Sequence, residues 1–232
     1  MIAVTKDWNP NQKMLAQLLK KAETFSDAKD RCISMHQQLH DIIKNNKKNI
    51  YQELINGLTP ENVVFRPENH FSSIAWNIWH ITRIEDAIAN ILIADTQQVF
   101  SKEWMERINT KISDTGNAFS KIDVDKFDKH IDIKELFLYR KEVGKKTPTI
   151  LNSITEADRK RKPTEKQLNR IIKEKVLTKE KVLTKEKDSI WLLEFWGNKT
   201  ISGLLTMPIT RHQMVHINDS FKLKQMYQKK YV

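Results

Sequence analysis

The stretch from Ser73 to Asp95 reads SIAWNIWHITRIEDAIANILIAD. When these residues are wound into an α-helix, apolar side chains fall on nearly every face, and a helix of that kind lies at the centre of its protein. Polar residues such as His80, Arg83 and Glu85 interrupt the run, which indicates a core helix rather than a membrane span. We therefore predict a central helix over residues 73–95.

Three other segments carry apolar residues at helical spacing, and they cover residues 27–45, 132–154 and 200–228. The chain has 5 glycines and 6 prolines among 232 residues, which is few for a sheet protein with many tight turns. Its 39% hydrophobic and 30% charged residues are typical of a folded protein with a polar surface. We predict an all-α fold, a four-helix bundle with long connections and short accessory helices, in a single domain over residues 27–228.

Two segments do not follow the pattern of the bundle helices. Residues 1–26 are polar with one short helical pattern, and we expect an N-terminal extension there. Residues 173–187 contain the unit VLTKEK written twice, and a six-residue period builds no coiled-coil seam. Val176 and Val182 would lie about 240° apart on a helix, so they would not share a face. We expect this stretch to be a solvated, lysine-rich insert.

The chain is strongly basic, with a net charge of +11. Such a balance is compatible with nucleic acid or an anionic membrane surface as partner. The lysines, however, are spread along the chain, and no compact stripe of arginine and aromatic residues accompanies them. An electrostatic nucleic-acid binder is therefore an alternative and not the leading hypothesis.

Cys32 is the only cysteine, so no disulfide can form within the chain, and this suits a reducing compartment. Because it lies in a helical pattern, we expect a buried apolar side chain rather than a nucleophile. Residues 1–8 lack a basic region followed by a long apolar core, so we expect no signal peptide. The chain is predicted to be a cytoplasmic protein without a membrane partner.

Three histidines are the candidate functional residues. His80 lies in the predicted central helix, and His212 and His216 form an HxxxH pair in the predicted last helix. Residues four apart share a helix face, so this pair and a histidine from a facing helix can form a three-nitrogen metal site with open positions. His36 and His40 have the same spacing, which shows that HxxxH alone is weak evidence. The apolar surroundings favour the first group, because a buried imidazole without a partner costs free energy.

A metal-ligating imidazole needs its second nitrogen oriented by a carboxylate or a carbonyl. Glu85, Asp86 and Asp219 are the candidates on the same predicted helices. Glu85 and Asp86 can equally pair with Arg83 or Arg211.

Pro208 lies inside the last helical pattern, four residues before His212. Proline has no N–H and its ring clashes with the preceding turn, so we expect a bend near Leu204. Such a bend either aims the histidine pair or simply fits the helix to its neighbours.

Two runs resemble the DinB-like superfamily of four-helix bundles. They are SIAWNIWHITRIED at residues 73–86 and WGNKTISGLLTMPITRHQMVHIN at residues 196–218, and the resemblance extends over roughly residues 28–228. The most specific parts are W-x-I-x-H-x-x-x-x-E-D and M-P-x-T-R-H-x-x-x-H-x-N. The resemblance implies a divalent metal ion, Zn, Ni or Fe, held by His80, His212 and His216.

The resemblance also implies a range of activities, which includes metal-dependent transferases and isomerases that use low-molecular-weight thiols. Our leading hypothesis is a metal-dependent thiol S-transferase, or a related hydrolase, that acts on a small-molecule substrate, such as a low-molecular-weight thiol. A metal ion would lower the pKa of a bound thiol, so that the thiolate forms near neutral pH. A non-enzymatic, stress-associated binding or scaffold bundle is the main alternative. A homodimer through helix faces is expected in either case.

The catalytic residues stay open at this point. His36, His40 and Glu85 are candidates for an acid, a base or a group that orients a metal ligand. A surface position for the two histidines is the competing interpretation.

Overall fold

The computed structural model describes residues 4–42, 49–177 and 191–231. Within these ranges every regular element is helical, which confirms the predicted all-α fold. None of the described helices is long and apolar enough to cross a membrane. The α-helices are α1 (Val4–Leu18), α2 (Phe25–Gln37), α3 (Ile50–Ile55), α4 (Pro60–Val64), α5 (Ile74–Ala87), α6 (Lys102–Arg107), α7 (Lys121–His130), α8 (Ile133–Ser153), α9 (Glu165–Lys173), α10 (Trp191–Gly197), α11 (Ile201–Thr206) and α12 (His212–Tyr231).

The bundle consists of α2, α5, α8 and the last helical segment, α11 with α12. Helix α5 packs against both α8 and α12, and α2 packs against α8. All 14 residues of Ile74–Ala87 are buried, so the prediction of a central helix is confirmed. A π-helical turn over Ile88–Ile93 extends this helix to the predicted end near residue 95.

The first bundle helix is shorter than the predicted range of residues 27–45. Helix α2 ends at Gln37, and residues 43–45 lie outside the described ranges. The Asn49 side chain donates to the carbonyls of Gln37 at 3.0 Å and His40 at 2.9 Å. Helix-end carbonyls satisfied in this way need no further turn of helix, and the local sequence does not reveal this contact.

The last bundle helix is interrupted where Pro208 was expected to disturb it. A π-helical turn over Met207–Arg211 joins α11 to α12. The Thr210 hydroxyl donates to the carbonyl of Leu205 at 2.9 Å, and the side-chain amide of Gln12 donates to the carbonyl of Thr206 at 2.8 Å. Side chains thus replace backbone hydrogen bonds at the irregular turn, and His212 is the first residue after it.

The N-terminal segment and the lysine-rich stretch both contribute to the core. Leu15 and Leu19 of the N-terminal segment are buried in the same hydrophobic cluster as the bundle. In the lysine-rich stretch, Val176 and Leu177 are fully buried, so the expectation of a solvated segment is wrong for this pair. The second VLTKEK unit, which includes Val182, lies outside the described residues.

A buried guanidinium connects all four bundle helices. Arg140 of α8 is 1% exposed. It donates to the Thr82 hydroxyl on α5 at 3.2 Å and to the Leu39 carbonyl just after α2 at 2.7 Å. It also donates to the Gln213 side-chain oxygen on α12 at 3.1 Å. These bonds fix the positions of the four helices relative to one another.

Replacing Arg140 with methionine is expected to lower the free energy of unfolding by about 3 kcal/mol, because buried acceptors lose a charged donor. Urea unfolding followed by circular dichroism measures this loss. Lys141→Met is the matched control, since Lys141 makes a partly exposed ion pair with Asp41 at 3.4 Å. Its replacement should cost less than about 1 kcal/mol. Equal unfolding midpoints for the two variants would contradict the prediction.

Candidate metal centre

The structure brings the three predicted histidines together. His80 comes from α5, whereas His212 and His216 come from α12. One ring nitrogen from each lies within 4.8 Å of the others, and the Nε2 atoms of His80 and His212 are 3.3 Å apart. The three ring planes meet at 61° to 66°, so the rings converge and do not stack.

His80 is fixed in one tautomer by a backbone carbonyl. Its Nδ1 lies 2.7 Å from the carbonyl oxygen of Thr115. A carbonyl can only accept, so Nδ1 carries the proton and the lone pair is on Nε2. The Trp76 ring stacks on the imidazole, with centroids 4.6 Å apart and planes at 10°.

The loop that contains Thr115 is itself held by α5. Three successive carbonyls accept hydrogen bonds from three α5 side chains, since Ser113 accepts from Arg83, Asp114 from Trp79 and Thr115 from His80. On its other side, the Thr115 N–H donates to the Val176 carbonyl at 3.1 Å. The start of the lysine-rich stretch therefore supports the loop that orients His80.

His216 is fixed by a side chain that the sequence reasoning missed. Its Nδ1 donates to the Asn77 side-chain oxygen at 2.8 Å, which again leaves the lone pair on Nε2. The Asn77 amide donates to Asp219 at 3.4 Å. Asp219 also accepts from the Ser72 hydroxyl at 3.0 Å. As a candidate to orient a ligand histidine directly, Asp219 is therefore wrong, because Asn77 lies between it and His216; the histidine that Asp219 approaches is His70, at 3.5 Å.

The two other predicted carboxylates orient no histidine of this group. Asp86 accepts from the Tyr139 hydroxyl at 2.7 Å and from Arg83 at 3.3 Å, so the alternative of pairing with Arg83 is confirmed for Asp86. Glu85 lies in a second cluster, with His36 and His40. Both carboxylates are fully buried, and the acceptors that orient His80 and His216 are a loop carbonyl and a side-chain amide instead.

Burial keeps the three imidazoles neutral. It lowers the pKa of His80 to about 4, against the opposing effect of its bond to Thr115. Burial, and then the neighbouring His80, lower the pKa of His212 to about 3. The pKa of His216 is lowered further, by burial and then by His80 and His212. At neutral pH all three rings therefore present unprotonated nitrogens.

The donor set fits a divalent metal ion. Tetrahedral coordination with bonds of about 2.0–2.1 Å places neighbouring ligand atoms about 3.3 Å apart, which matches the His80–His212 separation. Because Nδ1 of His80 carries the proton, its Nε2 presents a lone pair to Nε2 of His212. If Nε2 of His212 is also unprotonated, two lone pairs face each other, and a cation between them would relieve the repulsion. His212 Nδ1 has no hydrogen-bond partner among the described residues.

His36, His40 and Glu85 form a second polar cluster in the bundle. The Nε2 atoms of His36 and His40 lie 2.6 and 2.8 Å from the two carboxylate oxygens of Glu85. The Thr147 hydroxyl donates to the same carboxylate at 2.7 Å. All three cluster residues are fully buried, so the surface interpretation of the two histidines is wrong.

This second cluster has the geometry of a hydrogen-bonded network. Its ligand atoms also lie within 4.8 Å of one another, but the rings of His36 and His40 stack at 4.3 Å with planes at 29°. Burial alone would raise the pKa of Glu85, but the nearby His40 and His36 outweigh it and hold that pKa well below its ordinary value. The carboxylate thus has three hydrogen-bond donors and lies in the same buried region as the Arg140 cation, with which it interacts electrostatically.

Cys32 is buried beside this network, as predicted. It is 0% exposed, and burial, followed by the charge of Glu85, raises the pKa of its thiol to about 12. A thiol with this pKa is not a nucleophile at neutral pH.

Gly144 of α8 makes room for the second cluster. A Cβ atom built at this position would lie 2.4 Å from Nδ1 of His40. Because His40 is fixed by Glu85 and is fully buried, the ring cannot move aside cheaply.

We expect Gly144→Ala to lower the free energy of unfolding by about 2 kcal/mol, although alanine favours a helix by about 1 kcal/mol. Gly203→Ala is the control, because the Cβ there would come closest to the flexible Lys199 side chain, at 3.2 Å, and would meet Thr200 Oγ1 at an ordinary contact distance of 3.7 Å. Thermal and urea unfolding of both variants check the prediction. A Gly144→Ala protein as stable as Gly203→Ala would refute it.

Metal sites in helical bundles are built from side chains on facing helices, and the three histidines lie on two such helices. Residues 45–217 match the DinB superfamily, which is well over half of the 232-residue chain. The chain therefore belongs to the DinB superfamily, as the two sequence runs indicated. No curated protein matches it.

Proposed function

We propose that His80, His212 and His216 bind one divalent metal ion and that the protein is a metal-dependent enzyme. The observation that carries the proposal is the group of three ring nitrogens within 4.8 Å of one another, in which Thr115 and Asn77 hold Nδ1 of His80 and of His216 and leave their Nε2 atoms free of protons. Three nitrogen ligands leave coordination positions for a substrate. Zinc, nickel and iron all accept such a set.

The proposed substrate is a small molecule that carries a thiol, and the proposed reaction is thiol S-transfer or a related hydrolysis. A bound metal ion supplies a Lewis acid that lowers the pKa of a coordinated thiol or water. The resemblance to the DinB-like superfamily implies this class of reaction among others. A cytoplasmic location and a homodimer stay predictions.

The chain's own residues would prepare the centre and admit the substrate. His80 is 3% exposed, whereas His212 and His216 are half-buried, so the open side of the site is at α12. Val215 is 54% exposed on that helix, between the two histidines in sequence. Trp76 covers one face of the His80 ring and keeps water from that face.

Metal content tests the proposal. The purified chain is loaded with Zn²⁺, Ni²⁺ or Fe²⁺, desalted and analysed for bound metal. We expect one equivalent per chain, and an affinity at least about a hundredfold lower for His212→Ala, which loses a ligand. His130→Ala, which changes an exposed histidine of α7, should bind as the unchanged chain does. If the chain retains none of the three ions, the proposal is wrong.

The proposed reaction needs its own assay. The metal-loaded protein is incubated with low-molecular-weight thiols and an electrophile panel, and with small ester and amide substrates. Turnover that disappears with a chelator and returns with metal supports the enzyme. Metal binding without turnover across the panel favours the binding or scaffold alternative.

Metal affinity should hardly change between about pH 8 and pH 5. The lowered pKa values, about 4 for His80 and about 3 for His212, mean that no proton competes for these nitrogens in that range. Affinity should fall only as the pH approaches about 4, whereas an ordinary histidine, with a pKa of about 6.5, would lose metal below that value. Competition titrations with Co²⁺ across the range measure this. A steady decline that begins near pH 6.5 would contradict the prediction.

A further inference from the structure

Gln213 lies between two of the proposed metal ligands in sequence and is fully buried. Its side-chain oxygen accepts from Arg140 on α8 at 3.1 Å. Its amide donates to the carbonyl of Ile81 on α5 at 3.1 Å. The Gln213 side chain thus ties α12, next to His212, to α5, next to His80.

The register of α12 needs such a restraint. The π-helical turn at Met207–Arg211 separates α12 from α11, so the rotation of α12 does not follow from a regular continuation of α11. Gln213 is about 100° around the helix from His212 and faces the bundle interior, where its amide is held from two sides. Holding this amide therefore fixes both the rotation and the height of α12.

Small rotations of α12 would matter for a metal centre. With side chains reaching about 6 Å from the helix axis, a rotation of about 20° moves a ring nitrogen by about 2 Å. Metal–ligand distances tolerate only about 0.2 Å. Two directed hydrogen bonds restrain such a rotation in addition to the packing of apolar side chains, because a hydrogen bond weakens steeply when its angle changes.

We propose that Gln213, held by Arg140, is a positioning residue that keeps His212 and His216 in register with His80. The inference rests on the proposed metal site for its purpose. The hydrogen bonds themselves are independent of metal.

The test compares Gln213→Met with Leu223→Ala in the full chain. Gln213→Met keeps the side-chain length but removes both hydrogen bonds, whereas Leu223→Ala removes packing at another fully buried α12 position. We expect the Co²⁺ affinity of Gln213→Met to fall about 10- to 100-fold, as for lost support behind metal ligands. Leu223→Ala, although less stable, should bind within about twofold of the unchanged chain, after circular dichroism shows that both variants are folded. Gln213→Glu keeps the acceptor for Arg140 and should recover part of the affinity.

A second measurement uses the metal-free protein. The His216 Nδ1–H donates to Asn77, so it should give a protected imidazole ¹H–¹⁵N signal. We expect this signal to shift or disappear in Gln213→Met and to persist in Leu223→Ala. If the unchanged chain binds no metal, the proposed function fails while this signal still decides the positioning role. The inference is overturned if Gln213→Met keeps this signal and, where the unchanged chain binds metal, also keeps the same metal affinity.

Discussion

The buried guanidinium of Arg140 is the constraint on which the bundle depends. A charge without water needs acceptors at fixed directions, and Arg140 finds them on the other three bundle segments, at Thr82, Leu39 and Gln213. The Glu85 carboxylate supplies the opposite charge within the same core. The network adds direction to the apolar packing of the helices, because each hydrogen bond requires its donor and its acceptor to be aligned. Removing one member of the network would leave its partners buried without a bond, which is costly.

Complete burial of α5 explains why polar side chains meet partners on every side of it. His80, Trp79 and Arg83 donate to three successive carbonyls of one loop. Glu85 faces α2 and α8 instead, where it accepts from His36, His40 and Thr147. A single helix thus separates a half-open histidine centre from a closed carboxylate network. The burial that makes each polar group costly also makes its partner, and hence its tautomer, definite.

The central helix and the three-histidine group could be predicted from the sequence, because a continuous apolar run marks the helix and an HxxxH pair marks the histidines. The end of α2 could not, since it depends on Asn49 capping carbonyls across a connection. Thr115 orients His80 from 35 residues away, and no local signal marks it. Asn77 did leave a signal, as a polar residue three positions before His80 in an apolar helix, but amides are common enough that the signal was missed. We expected residues 173–187 to be solvated because of their lysines. Val176 and Leu177 are buried nonetheless, so the two apolar side chains outweigh the charged neighbours there.

The pairs His36/His40 and His212/His216 have the same HxxxH spacing but different surroundings. They differ in which ring nitrogen has a hydrogen-bond partner. In His36 and His40 the Nε2 atoms are bonded to Glu85, inside a region where one carboxylate already balances one guanidinium. A divalent cation there would leave the interior with excess positive charge, which a dry core does not tolerate. In His80 and His216 the Nδ1 atoms are occupied, so the Nε2 lone pairs remain available to another partner. Spacing selects a helix face, but the partner of the second nitrogen decides whether that face binds a carboxylate or is free to bind a metal ion.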